Sequence, residues 1–157
     1  MFKISKELKG SSLSVNFEGA LEENVSFAGL VDPTIKNMEI NCKGITRINS
    51  IGIKLWIEFF SSCASKHITL KFLECSPSIV QQLNSISNFK CNGSVESIQV
   101  PFSCEKCNVE FQQLFKVDDL ISSKFVLPGY KCPRCQGQMN FDDEYSEYFG
   151  CFGYQEG

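Results

Sequence analysis

Nine cysteines in 157 residues are the chemically loaded feature of this chain, and four of them form two Cys-x-x-Cys pairs. The pairs are Cys104-Glu105-Lys106-Cys107 and Cys132-Pro133-Arg134-Cys135, with 24 residues between them. A two-residue spacing lets a tight turn aim both thiolates at one cation, and two such turns complete a tetrahedral shell of four sulfurs. A closed shell of that kind suits one structural zinc ion bound by Cys104, Cys107, Cys132 and Cys135, with iron as an alternative occupant of the same geometry. Dithiol redox chemistry fits less well. That motif belongs at a helix N-terminus after a strand, and a second Cys-x-x-Cys pair has no place in it.

Each turn is followed by a segment fit to be a strand. Val109, Phe111 and the Leu114-Phe115 pair follow the first turn, and Met139 and Phe141 follow the second. The pattern resembles a zinc ribbon, with a gap longer than the short template. Fifty-seven residues supply a thin core, so metal coordination there would contribute folding free energy directly. Residues 101–157 hold 5 Lys/Arg, 9 Asp/Glu and 11 of the 19 aromatic residues, whereas residues 1–100 hold 10 and 9 charged residues. The shift in charge and aromatic content places a boundary near Val100-Pro101, giving a domain over 1–100 and a ribbon module over 101–157.

Around zinc the four thiolates leave a charge of about -2. Lys106, Lys131 and Arg134, in or beside the turns, are expected to offset it. Nucleic-acid binding needs a basic face, and the module is acidic. Asp142, Asp143, Glu144 and Glu147 form an acidic run expected on a final strand or hairpin, and Tyr130, Tyr145, Tyr148 and Phe149 read as core or a protein-binding face. A zinc-ribbon adaptor associated with nucleic acid or transcription is therefore the second reading, with tight, steeply salt-dependent DNA binding as its mark.

In the first hundred residues, Leu13-Val15-Phe17, Met38-Ile40-Cys42 and Ile68-Leu70-Phe72 alternate with polar residues, as half-buried strands do. Phe2-Ile4 and Ile98-Val100 are shorter strand candidates. Helical spacing appears over 21–31 (Leu21, Val25, Ala28, ended by Pro33), over 50–65 (Ile53, Trp56 or Ile57, Phe60, Ala64) and after Ser76-Pro77 (Ile79, Val80, Leu83, Ile86). The order β-β-α-β-α-β-α-β predicts an α/β fold with a mixed sheet of four or five strands and helices packed on it.

This order, with two local motifs, resembles the STAS domain of sulfate transporters and anti-sigma-factor antagonists over residues 1–100. Phe17-Glu18-Gly19-Ala20-Leu21 is similar to the family's strand-end "GxLD" segment. Ile45-Thr46-Arg47-Ile48-Asn49-Ser50-Ile51-Gly52-Ile53 is similar to its "D-S-S-G-hydrophobic" loop, which opens the second helix. Independently of the resemblance, Asn49 and Ser50 can cap that helix, and Gly52 permits close backbone approach. The family's phosphorylated residue precedes the glycine, and Ile51 stands there; Asn49 replaces the usual Asp. The resemblance therefore implies a protein-binding module that has lost the phospho-switch, docking through Asn49, Ser50, Ile51, Gly52 and Lys54. The implied partner is an anti-sigma factor, a kinase-like protein or another STAS protein in a bacterial partner-switching setting.

Of the other cysteines, Cys42 and Cys63 fall on apolar faces and read as core, and Cys91 falls in a loop. Cys75 precedes a helix and is the thiol to test for reactivity; Cys151 fits neither pair. His67, the only histidine, reads as a surface residue. With 43% apolar and 21% charged residues and a net charge of -3, the composition is that of a soluble globular protein. The absence of an apolar run and of a signal-peptide pattern points to the cytoplasm. No nucleophile–base pair or phosphate-cradling loop is evident, so a non-enzymatic role is expected, with the oligomeric state open.

Overall fold

The alternating segments fold into strands with one dry and one wet side. In the computed structural model, which describes residues 1–156, β1 (Lys3–Lys9), β2 (Ser12–Leu21), β3 (Asn37–Ile48), β4 (Thr69–Leu73) and β5 (Ser94–Val95) form one sheet in that order. β1 runs antiparallel to β2, and every later neighbour is parallel. Leu13, Val15, Phe17, Met38, Ile40 and Cys42 are buried, while Ser12, Ser14, Asn16, Asn37 and Glu39 are exposed on the opposite face. The sheet is mixed, and the helices cover one side of it.

Helix α1 (Ser50–Ser65) turns Gly52, Trp56, Phe60 and Cys63 inward, the i, i+4, i+8, i+11 stripe of a helix packed on a sheet. Trp56 stacks on Phe89 at 4.9 Å and meets Phe60 at 4.7 Å, and its indole N–H donates to the Phe89 carbonyl at 2.9 Å. Helix α2 (Pro77–Ser85) buries Ile79 and Val80, with Pro77 at its first position. Ser76 stands at the N-cap, but its hydroxyl makes no cap bond and is buried without a partner.

Residues 21–31 are not the predicted helix. They form the end of β2 and a crossover of turns leading to β3, closed by Val25 N–H to Glu22 O and Leu30 N–H to Phe27 O. The buried residues are Leu21, Val25, Phe27 and Leu30, whereas Ala28 is exposed. Gly29 adopts φ 73°, which interrupts any helical run, and the Asp32 carboxylate accepts from the Thr34 N–H ahead of the next strand. Phe27 stacks on Phe59 at 4.8 Å, so the crossover is held by packing rather than by helical hydrogen bonds.

A second, antiparallel sheet has the order β7-β6-β9-β8, from β6 (Ser97–Ser103), β7 (Glu110–Lys116), β8 (Tyr130–Lys131) and β9 (Gln138–Phe141). The candidate strand at Ile98-Val100 thus lies in this sheet. It is joined to the segment just after β4, where Cys75 bridges Ile98, with Cys75 N–H to Ser97 O at 3.0 Å, Gln99 N–H to Cys75 O at 2.9 Å and Glu74 N–H to Ser97 Oγ at 2.7 Å. Val100 and Pro101 lie inside β6, and Ser97, Ile98, Gln99 and Val100 are all buried.

Two short helices follow, α3 (Val117–Ser122) and α4 (Tyr145–Phe149). The acidic run sits at a bend and on the start of α4, not on a strand. Asn84 of α2 clamps α4 by donating to Tyr148 O at 2.9 Å and accepting the Cys151 N–H at 2.9 Å. The Tyr148 hydroxyl donates to Gln99 O. Buried residues of both sheets form one continuous apolar cluster. No helix among the described residues is long and apolar enough to cross a membrane.

Candidate metal centre

The ends of β6 and β7 carry the first Cys-x-x-Cys turn, and the ends of β8 and β9 carry the second. The two turns share one hydrogen-bond pattern. Cys104 N–H donates to Val109 O at 2.9 Å and Asn108 N–H to Cys104 O at 2.9 Å; Cys132 N–H donates to Gly137 O at 2.7 Å and Gln136 N–H to Cys132 O at 2.9 Å. In each turn the residue after the second cysteine is left-handed, Asn108 at φ 54° and Gln136 at φ 62°. That kink returns the chain to its strand after the second thiol has been presented. Sequence reasoning did not single out these two residues. Asn108 carries a legible signal, since asparagine tolerates this region, whereas glutamine gives none.

The four sulfurs lie within 4.8 Å of one another, and Cys104 Sγ is 3.7 Å from Cys135 Sγ. Four sulfurs at about 2.3 Å from a tetrahedral zinc lie about 3.8 Å apart, so the cluster has the size of the shell it would form. Cys104 and Cys132 are buried, Cys107 is half-buried and Cys135 is exposed. The arrangement is able to hold a metal ion such as zinc through all four predicted cysteines.

Backbone amides, rather than the basic side chains, serve the sulfurs. Arg134 N–H points at Cys132 Sγ and Gly137 N–H at Cys135 Sγ, both at 3.4 Å. Amides of Cys135 and Arg134 hold the Cys132 thiol down at about 7, while hydrogen bonding to Cys135 and burial push Cys107 up to about 12. A divalent ion bound there would displace the thiol protons of its ligands. Lys106, Lys131 and Arg134 are exposed, and their side chains make no hydrogen bond to a sulfur among the described residues. The aromatic residues behind the turns pack inward: Tyr130 meets Phe102 at 4.8 Å and Phe111 at 5.4 Å, and Tyr148 and Phe149 are buried. Of Tyr130, Tyr145, Tyr148 and Phe149, Tyr145 is the most open, at 36% exposure.

At the start of α1, Asn49 is the cap. Its side-chain oxygen accepts the Gly52 N–H at 2.8 Å, and its amide donates to Glu23 at 3.0 Å. Arg47 pairs with Glu22 at 2.8 Å, so the ends of β2 and β3 are tied on both sides of the cap. Ser50, Ile51 and Lys54 are exposed, with Ile51 at 48%. Gly52 is buried, and a Cβ there would fall 1.9 Å from the Leu21 carbonyl oxygen. The glycine is demanded by the strand beneath it and offers no side of its own to a partner. A Gly52→Arg substitution would therefore disturb the fold along with any docking.

Cys75 is fully buried, which removes the reactivity its place before α2 led us to expect. Burial raises Cys42, against which Cys75 lies, well above the ordinary thiol range, and raises Cys63 to about 11. Cys91 is buried in a turn, Cys151 stands outside the four-sulfur cluster, and His67 is exposed at the end of α1. No protein-family model matches this chain, and no curated protein matches it.

Proposed function

We propose that the chain is a non-enzymatic regulatory scaffold in which a STAS-like domain docks a regulatory protein, and a zinc ribbon over 101–157 carries one structural zinc ion. The observation that carries the docking reading is Ile51, an apolar side chain left 48% exposed on the first turn of a capped helix. Exposed Ser50 and Lys54 flank it, and the loop beneath is fixed by Asn49, Glu23, Arg47 and Glu22. A surface already ordered loses little conformational freedom on binding, which favours such a loop as a contact point. The mixed sheet and the capped helix support the STAS-like reading, whose candidate partners are a bacterial anti-sigma factor, a kinase-like protein or another STAS protein in the cytoplasm. With Ile51 in place of the modified residue, docking in this reading is constitutive.

The zinc reading is supported by the four-sulfur geometry and by the two like turns that produce it. The ion would be structural, because four cysteines leave no position open for substrate. Affinity capture from the native cell with the wild-type chain and with Ile51→Glu tests the docking reading. A partner held by the wild type and lost by Ile51→Glu at unchanged circular dichroism is the expected result. Equal capture by both chains would remove the start of α1 as the interface, and tight salt-dependent binding of random duplex DNA would favour the nucleic-acid adaptor instead.

A further inference from the structure

The sheet edges of this molecule are guarded unequally. β5 and β8 are two residues long, and β1 carries Lys3, Lys6, Glu7 and Lys9 among its seven residues. Laid antiparallel against its own copy about Lys6, β1 would set Lys6 on Lys6 and Lys3 on Lys9, a repulsive arrangement of the kind that keeps edges apart. β7 differs. Its sequence Glu110-Phe111-Gln112-Gln113-Leu114-Phe115-Lys116 has an uncharged interior without proline, and its register with β6 is unbroken over all seven pairs.

The ladder fixes which groups face outward. Cys104 N–H to Val109 O and Val117 N–H to Glu96 O bracket it, so by antiparallel alternation Phe111, Gln113 and Phe115 bond to β6. Glu110, Gln112, Leu114 and Lys116 turn their N–H and C=O groups away from β6. Apart from the Lys116 carbonyl, which opens α3 as its N-cap, no other hydrogen bond among the described residues reaches those groups. All four residues are exposed, Leu114 at 44%, and neither Glu110 nor Lys116 has an ion-pair partner within the described chain.

We propose that β7 pairs antiparallel with β7 of a second copy about a two-fold axis at Gln113, joining two four-stranded sheets into one. Outward groups can bond only if even-numbered residues face even-numbered ones, and of those registers the one centred on Gln113 overlaps all seven residues. It sets Glu110 opposite Lys116 at both ends, Phe111 opposite Phe115 twice, and Gln112 opposite Leu114. Moving the axis to Gln112 sets Glu110 opposite Leu114, and moving it to Leu114 sets Lys116 opposite Gln112; either shift loses the charge match. Opposite charges and aromatic pairs across strands are the stabilising combinations of sheet pairing. This interface belongs to the second sheet and stands or falls independently of docking through α1.

Sedimentation equilibrium of the full chain between roughly 1 μM and 1 mM tests it, a range that covers weak strand-edge dimers. The wild type should dimerise reversibly. Glu110→Lys and Lys116→Glu should each raise the dissociation constant about tenfold at low salt, and the double swap should restore it. Leu114→Pro, which removes an outward N–H that bonds to nothing within the chain, should be monomeric with unchanged circular dichroism. A wild type that stays monomeric throughout, a dimer indifferent to both single swaps, or a double swap that fails to restore association would overturn the proposal.

Discussion

Substituting Gly52 by alanine gives a prediction whose sign separates two explanations of that residue. If the glycine merely keeps a helix start smooth for a partner, alanine there should stabilise the helix by about 0.5–1 kcal/mol, the ordinary gain from glycine to alanine. The packing says the opposite. A Cβ would stand 1.9 Å from the Leu21 carbonyl oxygen and 2.7 Å from its carbon, where ordinary contact begins at 3.4 Å. Backbone must therefore move by roughly 1.5 Å, the difference between contact distance and clash. That motion works against the Asn49 N–H to Leu21 O bond at 3.2 Å and the Asn49 cap on Gly52 at 2.8 Å. Overpacking costs about 1–3 kcal/mol and loss of the cap about 1 kcal/mol, against the helix gain, for a net loss of about 1–3.5 kcal/mol. Urea unfolding followed by Trp56 fluorescence reads this as a lower midpoint at unchanged slope. A midpoint equal to or above that of the wild type would refute the close packing of α1 on β2.

Two further outcomes follow from the join between the sheets. Tyr148→Phe leaves the buried Gln99 carbonyl without its donor and should cost about 1–3 kcal/mol in the same unfolding assay. Burial also raises the Tyr148 phenol far above its usual 10, so the folded state keeps a proton that the unfolded state releases. Stability should therefore fall as pH rises above about 10, and Tyr148→Phe should flatten that slope; an identical alkaline slope in both chains would contradict the burial. Stripping metal with a chelator should loosen residues 104–109 and 130–138 while Trp56, 1% exposed between α1 and the first sheet, keeps its buried emission. A red shift of Trp56 at the same chelator concentration would show that the metal holds the whole fold.

Helix α1 was legible to the residue because Asn49 ends the preceding strand with a cap and because Trp56, Phe60 and Cys63 repeat at helical spacing. β2, β3 and β4 were legible because only one of their faces is dry, which writes burial into the sequence as alternation, whereas β1, almost wholly exposed, was read only at Phe2-Ile4 and the two-residue β5 was not read at all. The crossover at 21–31 was misread for a related reason. Leu21, Val25 and Ala28 have helical spacing by coincidence: Leu21, Val25, Phe27 and Leu30 reach the core while Ala28 does not, and Gly29 with Asp32-Pro33 were the turn signals that outweigh the spacing. β6 misled differently: a strand buried on both faces has no alternation to read, and its neighbours β7 and β9 are fixed by contacts distant in sequence. The four metal-site cysteines needed only their spacing. What spacing could not show was that backbone amides of Arg134 and Gly137, not the nearby lysines, face the sulfurs.

The proposed metal centre requires Cys104, Cys107, Cys132 and Cys135 to close around one ion. X-ray absorption at the zinc edge, with metal content determined on the same full-length sample, tests this most directly. One zinc per chain with four sulfur neighbours at about 2.3 Å is the predicted result. A shell containing nitrogen or oxygen, or a folded chain that takes up no zinc when the ion is supplied, would contradict it.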